Sequence, residues 1–285
     1  MNGFINVYKD ENVTSAKVVS IIKHLTHEKA GHLGTLDPLA SGVLPIAIGK
    51  ATKLFDYFLN KDKIYIAKAK FGFETDTLDL SGQIIKENKK VPTKAEILKI
   101  LPKFKGKQFQ MPPIYSAKNV NGVRAYDLAR QGKSFSLEPK QIEIFDISLI
   151  SFKNNEAEFE IHCSAGTYVR SLIRDIAYNL ETVATTSKIF RIKSGIFEIN
   201  NAYKLDELNE NLKDIVIPIK EVLKGLKQFN LNSELQYKLI CGQKVKLDNI
   251  DFCDNLVLVA TNNEIYGIAD VVNHFVKVKT FLLEQ

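Results

Sequence analysis

The stretch Gly31-His32-Leu33-Gly34-Thr35-Leu36-Asp37-Pro38-Leu39-Ala40-Ser41-Gly42-Val43-Leu44-Pro45 holds three glycines and two prolines. It cannot be a helix or a central strand over its whole length. It also holds four leucines, a valine and an alanine, so it is no ordinary solvated loop. An apolar loop packs against something, and its backbone polar groups must find partners there. At its centre stands one acid, Asp37, between Leu36 and Pro38. Taken alone, Asp37-Pro38 could start a turn or a short helix, since Asp caps helices and Pro opens them. An acid in so apolar a loop also suits chemistry.

Composition narrows that chemistry. With 285 residues the chain has room for one large domain, or a large one and a small one. A net charge of +6 permits a polyanionic partner without requiring one. No apolar run is long enough for a membrane span, and Met1-Asn2-Gly3-Phe4 does not open like a secretory leader. The three cysteines, Cys163, Cys241 and Cys253, are scattered, which argues against disulfides and zinc and fits a reducing cytoplasm. The five histidines do not cluster with acids or cysteines at ligand spacing, and neither a phosphate-binding loop nor a dinucleotide fingerprint occurs. The expectation is a reaction that needs no cofactor and no metal.

Outward from the loop, Gly3 to Tyr8 reads as a strand, and Thr14 or Ser15 caps a helix with Val18, Val19, Ile22 and Leu25 inside. Gly42 to Gly49 reads as a short buried strand and Ala51 to Leu59 as a helix. Lys63 to Gly72 reads as a strand with Tyr65, Ala67, Ala69 and Phe71 on its core face. Thr93 to Glu96 is a capping box. Glu138 to Ile150 and Glu156 to Cys163 pair, the second alternating apolar and polar residues. A glycine turn and a Thr cap then open a helix with Val169, Leu172, Ile173, Ile176 and Leu180 inside. Lys204 to Glu221 reads as a helical, mostly polar connection. Beyond it, short β-runs separated by turns suggest a small β-barrel.

Four segments resemble one family, the TruB-type pseudouridine synthases. They are the loop Gly31 to Pro45, the K-x-Y-x-A of Lys63 to Ala67, the Q-x-P-P-x-Y-S-A insertion of Gln110 to Arg130, and the C-x-x-G-T-Y-V-R-S-L of Cys163 to Leu172. The resemblance implies an α/β (α+β) fold: a mixed-sheet pseudouridine synthase core over residues 1–228, with an RNA-binding insertion at about 105–140. A small C-terminal β-barrel of PUA-like type would cover 229–285. It implies isomerisation of uridine-55 in the T-arm of tRNA by a cytoplasmic monomer that needs no protein partner. Rival readings are a tRNA-folding protein and a guide-RNA-dependent synthase subunit.

The resemblance places catalysis on Asp37, with Arg170 and Tyr65 beside it. An ionised carboxylate in an apolar setting needs a cation near it, because burial disfavours charge. Arg170 itself falls in the first turn of a helix, where the dipole disfavours a cation, so it should have an anionic partner. Tyr65 would stack on a flipped uracil, replacing the neighbours the base lost. Tyr168 and Ile189 would pack around that base. His32 either contacts the RNA as it opens or is a buried histidine satisfied by backbone. Lys9 keeps the lysine of the family's K-P-x-G segment, whose Pro and Gly are missing here, and is carried over as a substrate contact. Phe190 stands where the family has the first Arg of L-R-R, so one basic contact is expected to be lost.

Overall fold

The structure, a computed structural model, describes every residue except Ala117, Asn121, 209–211 and 284–285. Ala117 and Asn121 of the expected insertion motif therefore lie outside the described residues.

The chain begins with β1 (Gly3–Lys9), α1 (Ser15–Thr26), β2 (Ala30–His32) and β3 (Ala40–Ile48). There follow α2 (Phe55–Leu59), β4 (Lys63–Phe71), a small hairpin of β5 (Phe73–Thr75) and β6 (Ile84–Glu87), and α3 (Lys94–Ile100). The insertion holds β7 (Gly106–Gln110), β8 (Asn119–Val120), β9 (Val123–Arg124) and α4 (Ala125–Arg130). Then come β10 (Lys140–Lys153), β11 (Glu156–Cys163), α5 (Val169–Asn179), β12 (Ala184–Ser194), β13 (Phe197–Glu198), β14 (Tyr203–Lys204) and α6 (Ile219–Val222). The C-terminal part is β15 (Gln228–Asn230), α7 (Ser233–Ile240), β16 (Phe252–Val259), β17 (Ile265–Val272) and β18 (Phe275–Phe281).

Ten strands form one mixed sheet in the order β14-β1-β3-β12-β4-β11-β10-β7, with β2 on β3 and β13 on β12. The pairings β1–β14 and β3–β12 are parallel. One face carries Val18 and Ile22 of α1, Ile97 of α3, and Leu172, Ile173 and Ile176 of α5, packed on Ile5, Leu44, Ile46, Ala67 and Phe159. The opposite face of β1 and β3 is covered too. Phe4, Val43, Ala47, Phe58 and Phe197 pack there against Val257, Val259, Ile265 and Ile268 of the C-terminal sheet. This double covering explains why all nine residues of β3 are buried, while β4 and β11 alternate.

Pro45 lies inside β3, in a place that costs no ladder bond. β12 pairs with β3 at Ala40 to Gly42 and β2 pairs with it at Ile46 to Ile48, leaving a gap between them. Pro45 accepts from Leu33 N at 2.9 Å on that gap side, so its ring nitrogen faces the gap as well. Gly42 sits at the edge of the gap with φ +106, where a Cβ would meet the carbonyl oxygen of Arg191 at 2.2 Å. Gly42→Ala is therefore expected to destabilise the fold by roughly 3 kcal/mol or more, read as a lower midpoint in thermal unfolding. An unchanged midpoint would contradict this packing.

Three local expectations differ from the structure. Residues 49–54 form 3₁₀ turns, and only Phe55–Leu59 is α-helical. In the connection 204–221 the described residues form short 3₁₀ turns at 205–207 and 212–214 and the four-residue α6, because Ile217 pairs with Phe4 of β1 and Pro218 follows it, which breaks a continuous helix. The C-terminal part is a four-stranded sheet, β15-β16-β17-β18, with α7 against it, where a small barrel was expected. The expected division between 228 and 229 falls inside β15. No described helix is long and apolar enough to cross a membrane.

Candidate active site

The loop between β2 and β3 narrows to residues 33–39, and its backbone is well satisfied. Leu36 N donates to Ser15 Oγ at 3.0 Å, and that hydroxyl donates back to Leu36 O at 2.8 Å. Ala40 N donates to Asp37 O at 3.0 Å, and Asn12 N to Pro38 O at 2.7 Å. Leu33 and Leu36 are buried, at 1% and 4% exposure. The loop is thus held from α1, from the 10–13 turn and from β3, and Asp37 stands at its outer bend.

Asp37 Oδ2 lies 2.9 Å from Arg170 Nη2. The Arg170 side chain is only 6% exposed and Asp37 39%, so a buried cation meets a carboxylate open enough to reach a substrate. Arg170 makes three more contacts. Nη1 donates to Thr77 O at 2.7 Å, Nη2 to Tyr115 O at 3.0 Å, and Nη1 lies 3.3 Å from Asp79 Oδ2. The planar fork is spent on two carboxylates and two carbonyls, a geometry a lysine cannot reproduce. Asp79 is itself fixed: its Oδ1 accepts from Thr77 Oγ1 at 2.8 Å and Ser81 N at 3.0 Å. Two carboxylates outweigh the unfavourable dipole at the start of α5.

Tyr65 on β4 is 8% exposed, as is Ile189 on β12, and both belong to the same apolar cluster as Leu36 and Val169. Burial raises the Tyr65 hydroxyl above its usual range, while the Arg191 guanidinium beside it works the other way. Tyr168 precedes α5 and is pinned by Gln110, whose Oε1 accepts from Tyr168 N at 2.8 Å and whose Nε2 donates to Tyr168 O at 3.1 Å. Gln110 does here what the expected Thr167 cap does not: the residue capping α5 is Tyr168, with no side-chain cap. Ser171 Oγ donates to Met111 O at 2.8 Å, so the start of the insertion is clamped to the helix that carries Arg170.

Residues 23–169 match the N-terminal domain of TruB family pseudouridylate synthase. The chain belongs to that family. It is 38% identical to tRNA pseudouridine synthase B of Clostridium tetani, covering 99% of this chain and 100% of that one. To the tRNA pseudouridine synthase B of Ehrlichia canis it is 39% identical, over 97% and 96% of the two chains. Its fold is similar to that in the crystal structure of a Cbf5-Nop10-Gar1 complex, with TM-score 0.73 at 23% identity, covering 99% of this chain and 85% of that one. A TruB-family chain is an enzyme, an isomerase.

Set among TruB-type sequence segments, Asp37, Arg170, Tyr65, Tyr168 and Ile189 come from four separate stretches of the chain. Asp37 and Arg170 are paired directly, and burial joins Tyr65 and Ile189 in the cluster around Leu36. His32 stands apart, lining a groove of about 390 Å³ with Ala16, Val19, Ser20, Lys23 and Gly31. Its Nδ1 is buried without a hydrogen-bond partner, so the backbone-satisfied alternative does not describe that atom. Burial, then the charge of Arg191, lower its pKa and favour the neutral ring. Phe190 faces away from Ile189 by strand alternation and rests near Tyr8, with ring centroids 6.3 Å apart.

Lys9 differs most from its expected place. It is fully buried, and its ammonium donates to Val13 O at 2.7 Å, Asp10 O at 2.9 Å and Pro38 O at 3.3 Å. The 10–13 turn folds over the end of β1 and takes the charge out of solvent, so in this structure the Lys9 ammonium ties that turn to Pro38 of the loop. Burial lowers its pKa from 10.5 to about 8. The unfolded chain keeps this proton up to about pH 10.5, the folded chain only up to about pH 8. Between those values the unfolded state binds the extra proton, so the Lys9 contribution to stability improves as pH rises. In urea unfolding, the native chain should gain on Lys9→Met by up to about 3 kcal/mol across that window. A constant difference would contradict the burial of the charge.

Asp79, Gln110 and Arg191 were not singled out from sequence. Gln110 opens the insertion motif and Arg191 is the second arginine position of L-R-R, while Asp79 lies in the turn between β5 and β6. All three have partners far away in sequence.

Proposed function

We propose that this enzyme isomerises uridine-55 in the T-arm loop of tRNA to pseudouridine, with Asp37 as the catalytic carboxylate. The observation that carries the reading is the pair itself: a half-open carboxylate held by a buried arginine, next to a cluster containing Tyr65 and Ile189. The reaction breaks the bond from uracil N1 to ribose C1′, turns the base, and joins C5 to C1′. N1 gains a proton and C5 loses one, so no co-reactant is consumed. Attack on C1′, addition to the uracil ring and proton abstraction all use a carboxylate oxygen, and Asp37 offers one on a side chain whose Oδ2 is held 2.9 Å from Arg170 Nη2.

In this account the target uridine leaves its stack, and Tyr65 supplies a new aromatic neighbour. Tyr168 and Ile189 close around the base, and neutral His32 meets the RNA that opens. The insertion adds Arg130, whose guanidinium lies 5.7 Å over the Tyr126 ring, a pairing suited to phosphate and exposed bases. The C-terminal sheet acts as a PUA-like RNA-binding unit. Relatives that span the full chain are named tRNA pseudouridine synthase B, which favours a stand-alone cytoplasmic monomer on tRNA over a guide-RNA-dependent subunit. The test is nucleoside chromatography of T-arm stem-loops after incubation with the purified chain alone. One pseudouridine per RNA is expected with uridine at position 55 and none with cytidine there. Product from both RNAs, or from neither, would overturn the assignment.

A further inference from the structure

Arg191 is the largest of the fully buried side chains, at 1% exposure, and among the described residues it makes no ion pair. A buried charge without a carboxylate is costly unless its donors are spent on oriented dipoles. Those dipoles are the carbonyls of the loop that carries Asp37. Nε donates to Val43 O at 2.7 Å, Nη2 to Gly34 O at 2.9 Å, and Nη1 reaches Thr35 O at 3.5 Å. Gly34 and Thr35 lie on the arm entering the bend at Asp37, and Val43 on the arm leaving it.

The place of these contacts in the sheet is telling. β3 leaves β12 after Gly42 and meets β2 only at Ile46, so Val43 to Pro45 have no strand on that side. The guanidinium fills the gap and bridges the two arms beyond the last backbone bond between them, Leu33 N to Pro45 O. Gly42 permits the approach, since any Cβ there would strike the Arg191 backbone. The same strand carries Ile189 on the cluster face, and Arg191 stands opposite Tyr65 in the β12–β4 register.

We propose, taking Asp37 as the catalytic group, that Arg191 is a positioning residue whose fork locks the two arms of the loop and so sets where Asp37 stands relative to the base. A lysine at this position has one nitrogen where the fork uses three, Nε, Nη1 and Nη2, each meeting a different carbonyl of the two arms, so it does not reproduce their fixed planar spacing. A displacement of about 1 Å at a reacting group costs on the order of 100-fold in rate.

The test is Arg191→Lys in single-turnover isomerisation of T-arm RNA, with RNA binding and thermal unfolding measured on the same preparation. The native chain and Asp37→Asn are run beside it. About a 100-fold slower step with binding within a few-fold of native is expected. A rate within a few-fold of native would overturn the proposal, as would losses of rate and binding in equal proportion, which would make Arg191 an RNA contact. If Arg191→Lys does not fold, Gly34→Ala decides. Its Cβ meets Arg191 Nη1 at an ordinary 3.7 Å, but φ +130 strains the loop off its seat. It should slow the step at least about tenfold with binding kept, and an unchanged rate would equally overturn the proposal. No turnover by the native chain would instead fail the functional reading on which the proposal rests.

Discussion

Asp37→Asn is expected to abolish pseudouridine formation, by on the order of 10⁴-fold or more, while tRNA binding stays close to native. The amide keeps the shape of the side chain and an oxygen for Arg170 Nη2, 2.9 Å from the native carboxylate. It lacks the charge that attack, addition or proton abstraction would each use. Stability should barely change, because an ion pair with one partner 39% exposed is largely screened by water. Chromatography of digested tRNA, filter binding and thermal unfolding check the three parts. Substantial product from the variant would move catalysis away from Asp37.

Arg170→Lys should be nearly as damaging, for a different reason. Arg170 joins Asp37, Asp79, Thr77 O and Tyr115 O in one plane of donors. A lysine reaches at most part of this set, so Asp79, at 12% side-chain exposure, loses its cation. A loss of about 10²–10³-fold in single-turnover rate is expected from misplacement of Asp37. A loss of about 2–3 kcal/mol in stability is expected too, carried by Asp79 and the two carbonyls more than by the exposed Asp37 contact. Rate and melting point falling together would distinguish this variant from Asp37→Asn, which spares the melting point. A lysine variant of native rate and stability would contradict the four-way geometry.

The contrast between these variants also shows what the sequence could and could not display. The loop around Asp37 was legible because its glycines, prolines and leucines conflict with any ordinary loop or helix, and the dipole argument alone asked for an anion beside Arg170. β4 and β11 were legible because one face of each stays wet and the period of two survives. β3 hides its period because helices cover one face and the C-terminal sheet the other. Asp79 was out of reach: Leu78, at φ 62, turns the chain so that Asp79 lies under an arginine far along the sequence. The burial of Lys9 was hidden for a similar reason. A lysine at a strand end is normally solvated, and only the fold of the 10–13 turn and Pro38 over it makes it an internal strut. Arg191 reads in sequence as one more basic residue on a strand, and its role depends on a gap in the sheet that no local pattern announces.

The central claim is tested most directly by tritium release from tRNA carrying the label at C5 of uridine-55, with the purified chain and nothing else added. Joining C5 to the sugar expels that hydrogen, so the signal reports the bond change itself. The account predicts release of one tritium per tRNA at completion. Tight binding of the tRNA with no release would contradict it and leave an RNA-binding protein with a synthase fold.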